Sequence, residues 1–493
     1  MNDFVKIRDK DDVIVALRDF KKGETVDGIV LLDDVKMGHK IAIRDMKKGH
    51  HLIKYGNVIG VLCQDVKKGN WIHSHNLVTS LTEKEPTYRY HKNVEKLSLD
   101  SKRTWMGFVR KDGRVGTRNE LYLVPTVGCV NNILEAIKDE FVKKHEEARD
   151  SVKVLSHPYG CSQLGDDLVT TRKLLAGLVH NPNCGGALIV GLGCENNKMP
   201  DFLSALGAVD ENRVRHFLCQ EQEDEISYGV KQLEEIYGIM REDKRTEVPL
   251  SKLTLGLKCG GSDGFSGLTA NPLVGLVSDV IGANGGKVAL TEVPEMFGAE
   301  MMLMNRAKDE KTFEKVVKLI QDFKAYYARN NQPCYENPSP GNKDGGITTL
   351  EEKSNGCVLK GGALEVVDVL DFGEPIKESG LSLVNGPGND LVASTNLAAS
   401  GCTLLFFTTG RGTPFGSLIP TIKVATNHRL SQFKKDWIDF DGGMVLDDGF
   451  LFPGTGFLIF FLMWPAGKGS RRRKTTAVLS HYSKQVLLYR RTT

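Results

Sequence analysis

The sequence predicts an α/β multidomain protein, with a small N-terminal β-clip domain followed by two α/β units whose sheets are largely parallel. The chain has 493 residues, too many for one ordinary core, since domains typically hold roughly 100 to 200 residues. Its first 81 residues consist of short β-rich runs separated by glycine turns. Most of the rest alternates strand-like and helical runs, a pattern typical of parallel sheets covered by helices.

Residues 1–81 contain a short motif that occurs three times, as DFKKGE, DMKKGH and DVKKGN, at intervals of 26 and 20 residues. Each copy follows an apolar, strand-like run and reaches a glycine, which is typical of a tight turn. The intervals are too short and irregular for a solenoid, so the copies indicate turns of one small barrel.

Three segments follow this domain. Residues 82–104 are polar and lack a sustained apolar period, which predicts an exposed linker. Residues 105–248 alternate the strand-like LYLVPTV, SVKVLSH and GGALIVGLG with helical runs and form the first predicted α/β domain. Residues 249–448 repeat the alternation from LTLGLKCGG onward and form the second.

Charge and composition exclude several classes of protein. The 65 Lys and Arg nearly balance the 62 Asp and Glu, for a formal charge of +3, so no nucleic-acid or membrane partner is expected. The N-terminus lacks the apolar region of a secretory signal, which predicts a cytoplasmic protein. The ten cysteines are therefore expected to be thiols rather than disulfides.

Five predicted strands are followed by a loop in which a cysteine stands beside glycine: Cys129, Cys161, Cys194, Cys259 and Cys402. In open α/β sheets, ligands bind where such loops meet, at the carboxyl ends of the strands. One such cysteine is more often a small core residue, but five indicate a shared pocket lined by backbone N–H groups. The absence of CxxC spacing argues against a structural zinc site, and GGSDGFSG lacks the spacing and the lysine of a nucleotide-binding loop.

Imidazoles and carboxylates supply further candidates. His73 and His75 are two residues apart in WIHSHN, so on a strand both would face one side. They are either a metal or acid/base pair or an ordinary surface pair. His157 precedes a proline, which favours an extended backbone at that histidine. Glu292 and Glu295 follow a strand-like run and are either solvated or, beside a metal, ligands or a general base.

A group of arginines surrounds the DG turn of GFVRKDGRVGTRN. The segment is either a solvated loop or a carboxylate site in which Arg114 or Arg118 forms a bidentate fork.

Taken in order, these motifs resemble the altronate and galactarate dehydratase family. They include GFVRKDGRVGTRN, PTVGCVN, HPYGCSQLGDD, GCENN, CGGSDGFSGLTANPLVG, GGKVALTEVPEMFGAE, NGPGNDLVAST and FTTGRGTPFG, and they cover roughly residues 10 to 447. HKIAIRDMKKG and WIHSHN are similar to the family's N-terminal SAF domain. The resemblance implies a hydro-lyase that removes water from an aldonate or aldarate to give a 2-keto-3-deoxy acid, and that requires Fe²⁺ or Mn²⁺. Altronate is the favoured substrate and galactarate the alternative.

The motifs and the resemblance together suggest roles for individual residues. The expected catalytic residues are His73, His75, His157 and Glu292. The expected substrate-binding residues are Arg114, Arg118, Asn119, Ser262, Asp263, Thr269, Asn271 and Arg411. The candidate metal ligands are His73, His75, Cys161, Cys194, Glu195 and Cys259.

Two other classes of protein stay open. An iron–sulfur dehydratase would use Cys129, Cys161, Cys194, Cys259 or Cys402 as cluster ligands, and a sugar-acid binding protein would bind without turnover. A small-molecule sugar acid is the expected partner in each case, and assembly into a homo-oligomer is left open.

Residues 449–493 form an atypical tail. Their apolar run is shorter than the roughly 18 to 20 residues that span a bilayer, and a basic stretch follows it. Because the family pattern fades after WIDFDGGMVLDDG, a frame shift near residue 449 is the favoured explanation.

Overall fold

The structure is a computed structural model that describes residues 3–81, 86–94, 103–334 and 337–450, together with positions 454, 456–458 and 460. The tail predicted for residues 449–493 lies almost entirely outside the described residues, as does part of the linker predicted for residues 82–104.

The N-terminal domain is built from short antiparallel strands. They are β1 (Phe4–Val5), β2 (Val13–Ala16), β3 (Thr25–Val26), β4 (Ile29–Val30), β5 (Lys40–Ala42), β6 (His51–Lys54), β7 (Asn57–Leu62), β8 (Trp71–Ile72) and β9 (Leu77–Val78). They form a four-stranded sheet in the order β1-β2-β5-β8, a three-stranded sheet β6-β7-β9 and the hairpin β3-β4. The glycines of the three repeated motifs, Gly23, Gly49 and Gly69, all have positive φ. Each motif therefore forms the left-handed turn that glycine favours.

The first α/β domain is organised around a four-stranded parallel sheet in the order β13-β12-β14-β15. Its strands are β10 (Thr104–Val109), β11 (Val115–Gly116), β12 (Glu120–Pro125), β13 (Val152–Val154), β14 (Cys184–Gly191), β15 (Val214–Leu218) and β16 (Arg245–Pro249). Its helices are α1 (Asn131–Lys144), α2 (Gly165–Val179), α3 (Met199–Leu206) and α4 (Glu225–Met240). The chain enters through β10 and leaves through β16, and these two strands pair antiparallel.

The second α/β domain contains a seven-stranded, fully parallel sheet in the order β19-β20-β18-β17-β21-β22-β23. The strands are β17 (Thr254–Cys259), β18 (Lys287–Leu290), β19 (Val366–Leu370), β20 (Gly380–Val384), β21 (Leu404–Thr409), β22 (Thr421–Ala425) and β23 (Phe440–Asp441). The helices are α5 (Ala270–Ala283), α6 (Glu300–Met304), α7 (Glu310–Arg329), α8 (Pro340–Asp344), α9 (Leu350–Cys357), α10 (Asp390–Ala399), α11 (His428–Phe433) and α12 (Val445–Asp448). The predicted fold class is confirmed.

The two parallel sheets share a layer of helices and run in the same direction. Tyr122 of the smaller sheet and Phe407 of the larger one belong to one buried apolar cluster, together with residues of α2 and α10. At the amino edges, the Thr117 hydroxyl donates to the Thr403 carbonyl, just before β21, at 2.6 Å. The carboxyl edges of both sheets therefore face the opposite side of the molecule.

Buried charges join the N-terminal domain to the second α/β domain. The Nζ atoms of Lys40 and Lys54 each lie 2.8 Å from the Glu352 carboxylate on α9, and all three side chains are buried. Lys40 also donates to the Gly346 carbonyl at 2.7 Å. Because a buried ion pair is costly to separate, these contacts hold the N-terminal domain against the segment that leads into α9.

The described part of the linker, residues 86–94, is anchored to the second α/β domain. The Tyr88 hydroxyl donates to the Glu300 carboxylate at 2.8 Å, and the Tyr90 hydroxyl donates to the Ala307 carbonyl at 2.7 Å. Both rings pack against the domain's core, since a tyrosine can bury its ring while its hydroxyl finds a partner. None of the described helices combines the length and the apolar character needed to cross a membrane.

Candidate active site

A group of buried lysines, thiols and carboxylates lies at the carboxyl edge of the seven-stranded sheet. It forms where β17 and β18 end side by side and where α9 and the turn after it pack over them. This lysine–thiol cluster consists of Lys258, Cys259, Glu292, Glu295, Lys353, Cys357 and Lys360, and all seven side chains are buried.

Two thiols and a carboxylate converge at its centre. Glu295 Oε2 lies 3.0 Å from Cys259 Sγ and 3.1 Å from Cys357 Sγ, and the two sulfurs are 3.5 Å apart. The second carboxylate, Glu292, accepts the Cys259 N–H at 3.0 Å and lies 3.6 Å from its sulfur. The ligand atoms of Cys259, Glu295 and Cys357 all fall within 4.8 Å of one another, so one metal ion could contact all three.

Lys258 connects this centre to the surface. Its Nζ atom contacts the Glu292 carboxylate, lies 2.8 Å from Asp390 Oδ1 and donates to the Gly388 carbonyl at 3.2 Å. The Asp390 side chain, at the start of α10, is 32% exposed. Asp390 is therefore the partly exposed member of this charge network.

The remaining lysines also face carboxylates. Lys353 Nζ lies 2.7 Å from Glu295 Oε1, and Lys360 Nζ lies 3.9 Å from Glu292 Oε2. With Lys258, three ammonium groups thus face five acidic groups, namely Glu292, Glu295, Asp390, Cys259 and Cys357. Uncompensated charge is expensive in a buried site. With no other cation bound, charge balance therefore requires that two of the five acids stay protonated.

The pKa shifts indicate which acids retain those protons. Burial and the neighbouring Cys259 and Glu295 raise the pKa of Glu292, and the hydrogen bond with Cys259 together with burial raises the pKa of Cys357. The hydrogen bond from Cys357 lowers the pKa of Cys259 to about 6 although the thiol is buried. Burial opposes ionisation of Glu295, but Lys353 and its neighbouring lysines hold the pKa of that carboxyl below its usual range. These directions favour the neutral forms of Glu292 and Cys357 when no metal ion is bound.

Glu292 has an unusual backbone. Its φ and ψ are 69° and 57°, in the left-handed region that costs a non-glycine residue about 1 to 2 kcal/mol. The next residue, Val293, holds this conformation by donating its N–H to the Gly386 carbonyl at 3.0 Å. A side chain at Gly386 would place its Cβ 2.6 Å from Thr291 Oγ1, so glycine is required for this close approach. Strain of this kind is concentrated at functional sites.

Three buried hydroxyls in the chain segments that carry the cluster residues lack a partner. Ser262 Oγ, Thr291 Oγ1 and Ser354 Oγ make no hydrogen bond to any described residue. Thr291 precedes Glu292 in the chain, and Ser354 follows Lys353. Buried polar atoms in this state are exceptional, and each hydroxyl retains the capacity to bond a further polar group.

Other predicted substrate-binding residues hold the surrounding loops together. The Asp263 carboxylate accepts the Thr426 hydroxyl at 2.9 Å, Thr269 donates to the Thr426 carbonyl at 2.7 Å, and the Asn271 side chain accepts the Thr408 hydroxyl at 2.6 Å. These groups are already occupied. Arg411 follows β21 at the same sheet edge, and its side chain is exposed.

Arg114, Arg118 and Asn119 lie at the opposite edge of the molecule. They flank Thr117, which contacts the amino end of β21. Arg114 Nε donates to Asp112 at 2.7 Å, and the Asn119 side chain donates to the Met240 carbonyl at 2.9 Å. The structure therefore does not bring these residues to the lysine–thiol cluster, because they precede β12 instead of following it.

His73 and His75 do not lie on a strand, because β8 ends at Ile72 and both histidines lie in the turn that leads into β9. His73 Nε2 lies 2.9 Å from the Lys343 carbonyl, so this ring belongs to the domain interface. His75 is exposed and packs on Trp71, with ring centroids 4.9 Å apart.

His157, Cys161, Cys194 and Glu195 lie together at the carboxyl edge of the smaller sheet. His157 Nε2 contacts the Pro125 carbonyl at 2.8 Å, and Nδ1 accepts a backbone N–H at 3.1 Å. Burial lowers the pKa of His157 to about 4, so the ring is neutral and both nitrogens are engaged. The predicted metal ligands thus lie in three places: His73 and His75 in the N-terminal domain, Cys161, Cys194 and Glu195 at the smaller sheet, and Cys259 in the lysine–thiol cluster.

The sequence analysis did not identify the three lysines or Cys357 as site residues, although the sequence contains a pattern that points to each of them. Lys258 stands inside the otherwise apolar strand TLGLKC, where a buried charge is unusual. Lys353, Cys357 and Lys360 are four and three residues apart, which is the spacing of one helical face.

Three domain families match the chain in order. They are the altronate/galactarate dehydratase SAF domain at residues 2–80, the second domain of D-galactarate dehydratase/altronate hydrolase at 107–241, and the D-galactarate/altronate dehydratase C-terminal domain at 250–491. The last match extends through most of the atypical tail.

Whole-chain similarity points the same way. The chain is 50% identical over 455 residues to the altronate dehydratase of Bacillus subtilis (strain 168), covering 91% of each chain. It is 49% identical over 450 residues to the altronate dehydratase of Escherichia coli (strain K12), covering 90% of this chain and 91% of the relative. The galactarate dehydratase (L-threo-forming) of Escherichia coli (strain K12) is 31% identical over 490 residues, covering 95% of this chain and 93% of the relative. The chain belongs to the altronate/galactarate dehydratase family.

Proposed function

We propose that this protein removes water from D-altronate to give 2-keto-3-deoxy-D-gluconate, and that the lysine–thiol cluster is its active site. The observation that carries the substrate assignment is the 50% identity to an altronate dehydratase across 91% of both chains. Identity to the galactarate dehydratase is only 31%.

The reaction makes two demands on a site. The C2 proton is weakly acidic, so the negative charge that develops on the substrate carboxylate as this proton leaves must be stabilised by fixed positive groups. The C3 hydroxyl is a poor leaving group and must receive a proton. The lysine–thiol cluster offers three ammonium groups and a buried carboxyl that can carry a proton.

Glu292 is the proposed proton-transfer group. It takes the proton from C2, the C2–H electron pair forms the C2–C3 double bond, and the C3–O bond breaks. The departing hydroxide leaves as water with the proton from Glu292, and the resulting enol becomes the 2-keto acid when C3 is protonated. Lys258 contacts Glu292, and Lys360 lies 3.9 Å from it, so both can stabilise the negative charge that forms.

We also propose that Fe²⁺ or Mn²⁺ binds to Cys259, Glu295 and Cys357. Their donor atoms converge within 4.8 Å, and thiolate and carboxylate ligands suit these ions. When the five acidic groups and the three lysine ammonium groups of the site are all ionised, their net charge is −2. A bound divalent ion would supply those two charges and a Lewis acid for a substrate oxygen.

The three buried hydroxyls that lack hydrogen-bond partners support a polyhydroxy substrate. Ser262, Thr291 and Ser354 are buried without partners, and a chain of substrate hydroxyls can donate to them and accept from them.

The deciding experiment uses the purified full-length chain, incubated anaerobically with Fe²⁺ or Mn²⁺ and with altronate, galactarate, mannonate or gluconate. We expect 2-keto-3-deoxy acid to form with the highest kcat/KM on altronate. A higher kcat/KM on galactarate would overturn the substrate assignment. Altronate binding without any keto acid would instead identify a sugar-acid binding protein.

The proposed compartment is the cytoplasm. None of the ten cysteines, all of which lie in the described part of the chain, is in a disulfide bond, which suits a reducing environment.

A further inference from the structure

Three of the five glycine-flanked cysteines lie at one edge of the smaller sheet, away from the lysine–thiol cluster. Cys129 follows β12, Cys161 follows β13 and Cys194 follows β14, which are three adjacent strands of the smaller sheet. All three thiols are exposed. Cys259 belongs instead to the lysine–thiol cluster, and Cys402 is buried in the apolar core.

The loops that carry these thiols are bonded directly to one another. The Gly128 N–H, beside Cys129, donates to the Tyr159 carbonyl at 2.7 Å. The Ser162 N–H, beside Cys161, donates to the Asn196 side chain at 2.7 Å, two residues after Cys194. Neighbouring strands of a sheet lie roughly 4.8 Å apart, so these bonds gather the three thiols over the ends of three consecutive strands.

Glycine makes this approach possible. A side chain at Gly128 would place its Cβ 2.8 Å from the His157 carbonyl oxygen, and one at Gly160 would place it 2.1 Å from the Thr126 carbonyl oxygen. Any larger residue would force the loops apart. The Gly-Cys pairs therefore serve to bring the backbones of the cysteine loops together.

The groups around the thiols are unsuited to complete a site for a single zinc ion. Both ring nitrogens of His157 are engaged. The Glu195 carboxylate accepts the Thr126 hydroxyl and the Gly193 N–H, each at 2.6 Å. These contacts leave neither side chain free to act as a fourth ligand.

The spacing of the thiols also argues against a single ion. Zn–S bonds of about 2.3 Å put tetrahedral thiolates roughly 3.8 Å apart. Within the described part of the chain, the sulfurs of Cys129, Cys161 and Cys194 do not form a set within 4.8 Å of one another. In an iron–sulfur cluster each thiolate binds a different iron, so the ligand sulfurs lie farther apart.

We infer that Cys129, Cys161 and Cys194 bind a [4Fe–4S] cluster through three thiolates, which leaves one iron without a protein ligand and open to solvent. The open iron would accept a hydroxyl or carboxylate oxygen of a small acid. This site is distinct from the proposed Fe²⁺ or Mn²⁺ site at Cys259, and its existence does not depend on the proposed reaction.

The test is anaerobic reconstitution of the full-length chain with Fe²⁺ and sulfide, followed by desalting. We expect an absorption band at about 400 nm and about four acid-labile sulfides per chain, as a [4Fe–4S] cluster requires. Cys129→Ser, Cys161→Ser and Cys194→Ser should each lose most of the band and the sulfide. Because these side chains are exposed, the variants should keep the circular dichroism spectrum of the parent.

Cys219→Ala is the matched control. Cys219 follows the next strand, β15, but its side chain is buried, so the variant should keep the band and the sulfide. Cys357→Ser is a second control, since it removes a proposed ligand of the single ion and should leave the sulfide content unchanged. Bound iron without sulfide, or a band that survives replacement of all three exposed cysteines, would overturn the assignment. Loss of turnover alone would bear only on the proposed function.

Discussion

Cys259 and Cys357, which are 98 residues apart in the chain, place their sulfur atoms 3.5 Å from each other, and the Glu295 carboxylate contacts both. The two thiols come from a strand end and from a helix that packs over it. Their contact defines the centre of the proposed metal site.

Glu295→Gln should weaken Mn²⁺ binding on the order of 100-fold, because a neutral amide replaces the charged ligand between the two thiols. Binding is measured by titration with Mn²⁺ and detection of the free ion by electron paramagnetic resonance. Glu365→Gln changes a carboxylate whose ion pair with Lys92 lies at the surface and should leave the Kd unchanged. Equal Mn²⁺ affinities in the parent and in Glu295→Gln would show that Glu295 is not a metal ligand.

Glu292→Gln should lower kcat on altronate by a factor on the order of 10² to 10⁴, the usual contribution of general acid–base catalysis. The KM should change little, since Lys258 and Lys360 stay in place. Steady-state kinetics on the purified variant measure both constants. Retention of kcat within about twofold would show that another group transfers the proton.

His75→Ala should retain turnover, because the His75 side chain is exposed and packs on Trp71 outside the lysine–thiol cluster. This outcome differs from the catalytic role that the sequence suggested. The measurement is kcat/KM for altronate. A loss of kcat/KM comparable to that of Glu292→Gln would show that His75 takes part in catalysis.

Glu352→Gln should reduce the free energy of unfolding by about 3 to 5 kcal/mol, since it leaves the buried ammonium groups of Lys40 and Lys54 without their counter-charge. Urea denaturation at pH 7 followed by tryptophan fluorescence measures this change. Asp34→Asn, which breaks an exposed pair with Lys21, should have little effect. A stability loss no larger than in that control would contradict the buried ion pair.

Stability should fall as the pH is lowered below about 6.5, and His157 contributes to that fall. Burial lowers the pKa of His157 to about 4 in the folded protein, whereas the unfolded chain takes up the proton near pH 6.5. Between these values the unfolded state binds more protons, so stability decreases with falling pH, and His157 accounts for about 2 kcal/mol at pH 5.

His157→Gln removes the titrating ring and keeps a hydrogen-bond donor. The difference in unfolding free energy between pH 7 and pH 5 should therefore shrink by about that 2 kcal/mol, as measured by urea denaturation at both pH values. An unchanged difference would show that His157 does not titrate with a lowered pKa.

The amino-acid sequence was sufficient for the fold class, because strand and helix periodicity and glycine turns are local properties. Gly23, Gly49 and Gly69 marked real left-handed turns, and the alternating runs became two parallel sheets. Sequence position also placed Cys259 and Glu292 at or just after the carboxyl ends of strands, where ligands of such sheets bind.

Only the tertiary structure decided how these residues are grouped. Lys353, Cys357 and Lys360 reach Cys259 and Glu292 through the packing of α9 on the sheet, and a local pattern carries no information about contacts across a hundred residues. The same packing divided the five glycine-flanked cysteines among a charged cluster, an apolar core and an exposed sheet edge. Sequence reasoning could name the residue types, but their distances and burial, which set their charge and reactivity, arose from the folded chain.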